Sequence, residues 1–132
     1  MRYVLDADLL IGALDASDAH HAEARRLLTG WRAHGDTVLI SVINLSEAFV
    51  APASDPQLLR LARSAIAALG VTVDRPSQAI AVDAARLRSR HPISLPDAYL
   101  LASARHLDAT VASFDTRIVR TANAERIAAH HA

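Results

Sequence analysis

Residues 2–11, RYVLDADLLI, are the stretch that decides the fold. The apolar run Tyr3–Leu5 has the composition of a buried β-strand, and it leads directly into the carboxylate of Asp6. We predict that a helix follows at once, with Asp8 as its N-cap residue and Leu9–Leu14 as its body. Asp6 then lies at the carboxyl end of a strand, which is the edge where open α/β sheets bind ligands.

The rest of the chain repeats this alternation of apolar strands and helices with short connections. Such alternation predicts a three-layer α/β domain, with a central, mostly parallel sheet of four to five strands between helices. We expect residues 1–132 to form a single domain. The further strands are predicted at Val38–Ile40, Val71–Val73 and Thr110–Ala112, with a last short strand near Ile127.

Composition and charge exclude several classes of protein. No apolar run is long enough to cross a membrane, and the first residues lack the layout of a signal peptide, so we expect a cytoplasmic protein. The chain has no cysteine, which excludes disulfides and zinc–thiolate sites. Its net charge is zero, and all 14 basic residues are arginine. Chemistry that requires a lysine is therefore excluded.

Three further acids occur in settings that resemble that of Asp6. Glu47 lies in a helix that is apolar nearly all round, so we expect this helix to be largely buried and Glu47 to face a cleft, oriented by Asn44 one turn earlier. Asp97 lies in the first turn of a helix that starts at Ser94. Asp115 follows the fourth strand, where it either belongs to the site or caps the next helical turn.

Carboxylates that crowd together need a counter-charge, because they cannot all remain ionised without one. Ligand sets made only of oxygen suit Mg²⁺ or Mn²⁺, and such an ion can activate water for attack on a phosphate. No serine, cysteine or histidine nucleophile arrangement is recognisable, and we expect no histidine to bind a metal ion. The sequence therefore favours metal-dependent hydrolysis.

The pattern resembles the PIN-domain nucleases, and in particular the VapC-type toxins of bacterial toxin–antitoxin pairs. Four segments carry the resemblance, in the right order and at suitable spacing: 4–8 (VLDAD), 41–47 (SVINLSE), 95–102 (LPDAYLLA) and 112–115 (ASFD). Asp8 and Ser113 depart from the commonest pattern, which has Ser or Thr at the first position and Thr at the second. Both substitutions keep an oxygen in place.

The resemblance implies a Mg²⁺- or Mn²⁺-dependent endoribonuclease whose metal site is formed by Asp6, Glu47 and Asp97 and completed by Asp115. Asp8, Asn44 and Ser113 are then expected to support these ligands. The resemblance also implies a homodimer and a cognate antitoxin that blocks the acidic site. RNA phosphates would require arginines near the cleft, and the candidates are Arg86, Arg88, Arg105 and Arg117.

Two alternatives remain. A phosphatase of the haloacid-dehalogenase type also opens with Asp-x-Asp after a strand, as Asp6-Ala7-Asp8 does, but that family needs a lysine to balance charge. The other alternative is a PIN-like interaction module that has lost catalysis, which the four retained acids argue against.

Overall fold

The structure is a computed structural model that describes residues 1–132. Five strands and seven α-helices alternate along the chain, with a short 3₁₀ turn at Pro52–Ser54. The strands are β1 Arg2–Leu5, β2 Thr37–Ser41, β3 Val71–Asp74, β4 Thr110–Ser113 and β5 Ala129–His131. The helices are α1 Ala7–Leu14, α2 His21–His34, α3 Val42–Phe49, α4 Pro56–Ala68, α5 Gln78–Arg90, α6 Leu95–His106 and α7 Thr116–Ala124.

All five strands are parallel, in the spatial order β3-β2-β1-β4-β5. This confirms the predicted α/β class, and the last strand lies two residues beyond Ile127. The order reverses between β1 and β4, where Leu5 pairs with Ala112. A crevice at the carboxyl edge is expected at this reversal, because the connections leave β1 and β4 in opposite directions. The residues after Leu5 and Ala112 therefore line the edge of the sheet most suited to a ligand.

The sheet is covered on both faces, as the alternation of its side chains requires. On β1, Tyr3 and Leu5 pack into a core built with α1, α2, α3 and α4, whereas Val4 faces a second core built with α5, α6 and α7. Helix α6 buries the largest number of residues of any helix: six of its twelve residues are buried, including Leu100 and Leu101. None of the helices has the length and apolar character needed to cross a bilayer.

Polar residues begin most of the helices as the sequence predicts. Ser41 and Ser94 both accept a backbone N–H at the start of their helices. The prediction that Asp8 caps α1 is wrong: the helix already begins at Ala7, and Asp8 lies within its first turn. Asp6 occupies the N-cap position but makes no capping hydrogen bond, so its carboxylate is available for other contacts.

Candidate active site

Asp6 and Ser113 form the centre of the site. The backbone N–H of Asp6 donates to the carbonyl of Ala112 (2.9 Å), which extends the pairing of β1 with β4 by one residue. The Ser113 hydroxyl, fully buried at the end of β4, donates to Oδ2 of Asp6 at 2.7 Å. Asp6 is only 7% exposed. Burial and the neighbouring charge of Asp8 raise the pKa of Asp6 to about 7, although the Ser113 bond opposes this rise.

Asp8 connects the start of α1 to the end of β4. Its Oδ2 accepts the backbone N–H of Phe114 at 3.1 Å and lies 3.4 Å from the Ser113 hydroxyl. Its Oδ1 is buried and has no hydrogen-bond partner. Burial raises the pKa of Asp8 to about 6, against the lowering effect of the Phe114 bond. The contacts of Asp8 therefore run to β4 and the residue after it, and its supporting role at the site stays a prediction.

Glu47 and Asp97 are brought together by Asn44. The Asn44 side chain is fully buried, and its Nδ2 donates to the carbonyl of Pro96 (3.1 Å) and reaches Oε1 of Glu47 (3.4 Å). Pro96 directly precedes Asp97, so one amide group ties α3 to the first turn of α6. Burial, followed by the charge of Asp97, raises the pKa of Glu47. The Asn44 side chain thus contacts both Glu47 and the residue before Asp97, and its orienting role at the site stays a prediction.

The prediction that α3 is largely buried is wrong. Of its eight residues only Asn44, Leu45 and Ala48 are buried, and Glu47 is exposed. Glu47 nevertheless faces a cavity of about 560 Å³ between α1, α3 and α4. Its carboxylate is therefore accessible to solvent and to ligands.

Replacing Asn44 by Ala is expected to lower the free energy of unfolding by about 1–3 kcal/mol, because the carbonyl of Pro96 loses its donor inside the protein. Thermal and urea denaturation would measure the change. Ser46→Ala, at an exposed position of the same helix, is the control and should stay within about 0.5 kcal/mol of the wild type. Equal stability of the two variants would contradict the bridging role of Asn44.

Asp115 both caps a helix and belongs to the acidic group. Its Oδ1 accepts the backbone N–H of Arg117 (2.9 Å), and its Oδ2 accepts the guanidinium of the same residue (3.0 Å). These bonds lower the pKa of Asp115. The Asp115 backbone N–H donates to the Ser113 hydroxyl (2.9 Å). The structure shows Asp115 as the N-cap of α7, while its role in the site stays a prediction.

The carboxylates form a connected group of neighbours. Burial and then the negative charge of Asp115 raise the pKa of Asp97. The negative charge of Asp97 adds to burial in raising the pKa of Asp6 and of Glu47. No three Asp, Glu or His side chains lie close enough together to form a finished metal-ligand set. The donor chemistry nevertheless fits Mg²⁺ or Mn²⁺, because every candidate ligand is a carboxylate oxygen and Oδ1 of Asp8 lacks a partner. Mg²⁺ in particular binds through one or two carboxylates and retains waters.

Of the four arginine candidates, only Arg117 is placed beside the acids, where it also lowers the pKa of Asp97. Arg105 lies eight residues further along α6, about 12 Å at the usual helical rise, and pairs with Glu125 (2.8 Å). Arg88 donates to the carbonyl of Ile93 (2.7 Å), and Arg86 is exposed on α5. The sequence could not predict which of these arginines lies near the acids, because that depends on the residues each one contacts in the folded protein.

Comparison with known sequences gives the family. A sequence model described as the PIN domain matches residues 3–124. The chain belongs to the PIN-domain family. The match spans both the opening strand with Asp6 and the helix after Asp115, so the five acids described above all lie inside the PIN domain. No curated protein sequence matches this PIN-domain chain.

Solved structures share the PIN-domain fold over most of their length. A toxin–antitoxin complex from Klebsiella pneumoniae is 26% identical, with 87% of this chain and 88% of that chain covered and a TM-score of 0.70. VapC20 from Mycobacterium tuberculosis, a sarcin–ricin loop cleaving toxin, is 21% identical, with coverage of 89% and 93% and a TM-score of 0.73. VapBC2 from Rickettsia felis, bound to a DNA fragment of its promoter, is 18% identical, with coverage of 98% of each chain and a TM-score of 0.73.

Proposed function

We propose that this PIN domain is a metal-dependent endoribonuclease toxin of the VapC type, which hydrolyses phosphodiester bonds of RNA in the cytoplasm. The observation that carries the proposal is the group of acids at the point where the strand order reverses: Asp6 after β1, Asp115 after β4, and Glu47 and Asp97 tied together by Asn44. That a structural relative cleaves the sarcin–ricin loop supports RNA as the substrate class.

In this proposal Asp6, Glu47 and Asp97 would hold Mg²⁺ or Mn²⁺ together with waters that the ion retains, and Asp115 would complete the site. When bound, the ion would supply positive charge beside the scissile phosphate and an activated water as the nucleophile. Ser113 orients the carboxylate of Asp6 through its 2.7 Å hydrogen bond. Arg117 places a guanidinium at the acidic edge, where it can bind a phosphate oxygen and offset the repulsion between RNA and the carboxylates.

The proposal includes an antitoxin partner, supported by relatives that were solved as toxin–antitoxin complexes. The cavity of about 560 Å³ beside Glu47 fits such a partner, since eight of its eleven lining residues are apolar. The exposed Leu58 and Leu61 of α4 border it. A chain seated there would reach the acids. We also propose a homodimer, for which the exposed Val42 and Val73 near the edge strand β3 offer apolar surface.

RNA cleavage by the purified protein tests the function. Wild-type protein is expected to cleave RNA when Mg²⁺ or Mn²⁺ is present and to stop when EDTA removes the metal. Asp97→Asn should be about tenfold to a hundredfold less active, because the substitution removes a negative charge from the metal site. Asp108→Asn is the matched control, since Asp108 is exposed and outside the acidic group.

Two results would sink the proposal. If Asp97→Asn cleaves RNA as fast as the wild type, the proposed metal site is not responsible for the cleavage. The absence of cleavage with every RNA offered would favour the inactive interaction module. Membership of the PIN-domain family leaves the phosphatase alternative without support.

A further inference from the structure

An exposed pair of stacked rings lies next to the acidic group. The imidazole of His20 is parallel to the ring of Phe114, with 4.1 Å between the ring centroids and 12° between the planes. One other parallel ring pair occurs in the structure, formed by Tyr3 and Trp31, but both of its members are buried in the core. His20 is exposed and Phe114 is partly exposed, so packing of the core does not account for the second pair.

Phe114 is fixed by the site itself. It lies between Ser113 and Asp115, and its backbone N–H donates to the carboxylate of Asp8 at 3.1 Å. Its carbonyl is 3.2 Å from Nε2 of His131 on the edge strand β5. The phenyl ring also packs against the core beneath α1 and α2. Its orientation relative to the acids is therefore held from three sides.

His20 is held in place by the loop between α1 and α2. Its backbone N–H donates to Oδ1 of Asp18 (2.8 Å), and its carbonyl accepts the N–H of Ala24 (2.9 Å). The loop also packs directly on α1: a Cβ at Gly12 would be in van der Waals contact with the Cβ of His20 (3.6 Å) and with that of Ala24 (3.4 Å). One face of the imidazole is covered by Phe114, so the surface that remains open lies on its other face and edges.

RNA binding at this edge requires a contribution that is not electrostatic. The net charge of the chain is zero, and the edge carries five carboxylates against one neighbouring guanidinium, that of Arg117. RNA phosphates are therefore weakly attracted, or repelled, until a cation is bound. Stacking of an unpaired base on an aromatic ring supplies affinity that does not depend on charge, and histidine is one of the residues that serve this purpose.

We propose that the His20–Phe114 pair, with His20 outermost, is a stacking platform for one unpaired nucleobase of the RNA next to the scissile phosphate. The proposal rests on the proposed ribonuclease function and adds a base-binding subsite to it. Stacking accepts every base, so the platform positions the strand without selecting its sequence. It requires an unpaired nucleotide, which makes single-stranded loops better substrates than duplexes.

The experiment uses a short oligouridine RNA in which a single 2-aminopurine replaces one base, moved through every position in turn. Stacking quenches the fluorescence of 2-aminopurine. Binding is measured in an Asp97→Asn background, which is expected to cleave the probe at least about tenfold more slowly and which carries one fewer carboxylate to repel RNA. We expect quenching at one position, a loss of affinity of about tenfold in His20→Ala, and recovery in His20→Tyr, which keeps a ring. His106→Ala, at the far end of α6, is the control and should bind like its parent.

Turnover by otherwise wild-type protein gives the second readout. His20→Ala should raise KM about tenfold, with a smaller change in kcat, and removing the base from the quenched position should abolish the difference between the variants. His20→Ala that binds and cleaves like its parent, or His20→Tyr that is as weak as His20→Ala, would overturn the platform while leaving the ribonuclease intact. Quenching that depends on His20 without any cleavage by wild-type protein would retain the platform and remove the proposed function.

Discussion

Asp6→Asn is expected to lower metal-dependent RNA cleavage by at least about a hundredfold and, in the same protein, to raise the melting temperature measured without metal at pH 8. The two effects have one cause. The Asp6 carboxylate is 7% exposed and lies beside other acids, which raises its pKa from 3.8 to about 7. Asparagine keeps the shape and an oxygen that can accept from Ser113, but it carries no charge.

The direction follows from proton linkage. Because the pKa of Asp6 is higher in the folded protein than in the unfolded chain, ionisation of this group favours unfolding. The penalty is absent below pH 4, grows as the pH rises, and is complete above pH 7. Asp6→Asn removes it, so the gain at pH 8 should be on the order of 4 kcal/mol and should vanish near pH 4.

Differential scanning calorimetry at pH 4, 6 and 8, together with cleavage assays on the same preparations, would measure both effects. Asp108→Asn should change neither, because Asp108 is exposed and its φ of 50° is a conformation that asparagine tolerates. If Asp6→Asn loses both activity and stability, Asp6 stabilises the fold, and the inference that its ionised carboxylate lowers stability is wrong.

The second large effect is stabilisation by metal. Mg²⁺ or Mn²⁺ at about a hundred times its Kd should raise the free energy of unfolding by about 3 kcal/mol, which corresponds to about 10 °C in a domain of this size. The shift should be larger at pH 8 than at pH 5. The pKa values of Asp6 and Asp8, about 7 and about 6, mean that protons occupy these groups at pH 5 and must be displaced by the ion.

Screening by salt must be separated from binding, so the reference is KCl at equal ionic strength. Asp6→Asn and Asp97→Asn should each lose most of the metal-induced shift, whereas Asp108→Asn should keep it. A melting temperature that is indifferent to both ions, or a shift that is the same in all variants, would contradict a cation site at the acidic edge.

The strands and the acids that follow them were predictable, because an apolar run and an acid directly after it are both visible in a short stretch of sequence. Short, mostly apolar runs of three residues defined β1 to β4. Asp6 and Asp115 could be placed after their strands, and Asp97 in the first turn of its helix. The parallel arrangement then brings Asp6 and Asp115 to the same edge whatever the details of packing.

Burial of individual helices was harder to predict, because it depends on which neighbours cover them. Helix α3 is more apolar than α6, yet α6 is the enclosed one, since α5 and the sheet cover it while α3 leaves Val42 and Glu47 exposed. The bond of Asp8 to Phe114 and the pairing of Arg105 with Glu125 join residues 106 and 20 positions apart. Contacts between residues so far apart in sequence cannot be read from any local sequence pattern.

The central position of β1 also determines when the site can exist during synthesis. β1 leaves the ribosome before its neighbour β4, which is made about a hundred residues later, and Ser113 and Asp115 arrive with β4. Contacts of such long sequence separation form late, after the ends of a long loop have met. A nascent chain therefore has Asp6 without its partners until almost all of the domain has been translated. If the domain is the proposed ribonuclease, this order of the strands would delay completion of its acidic group while the chain is still next to the RNA of the ribosome.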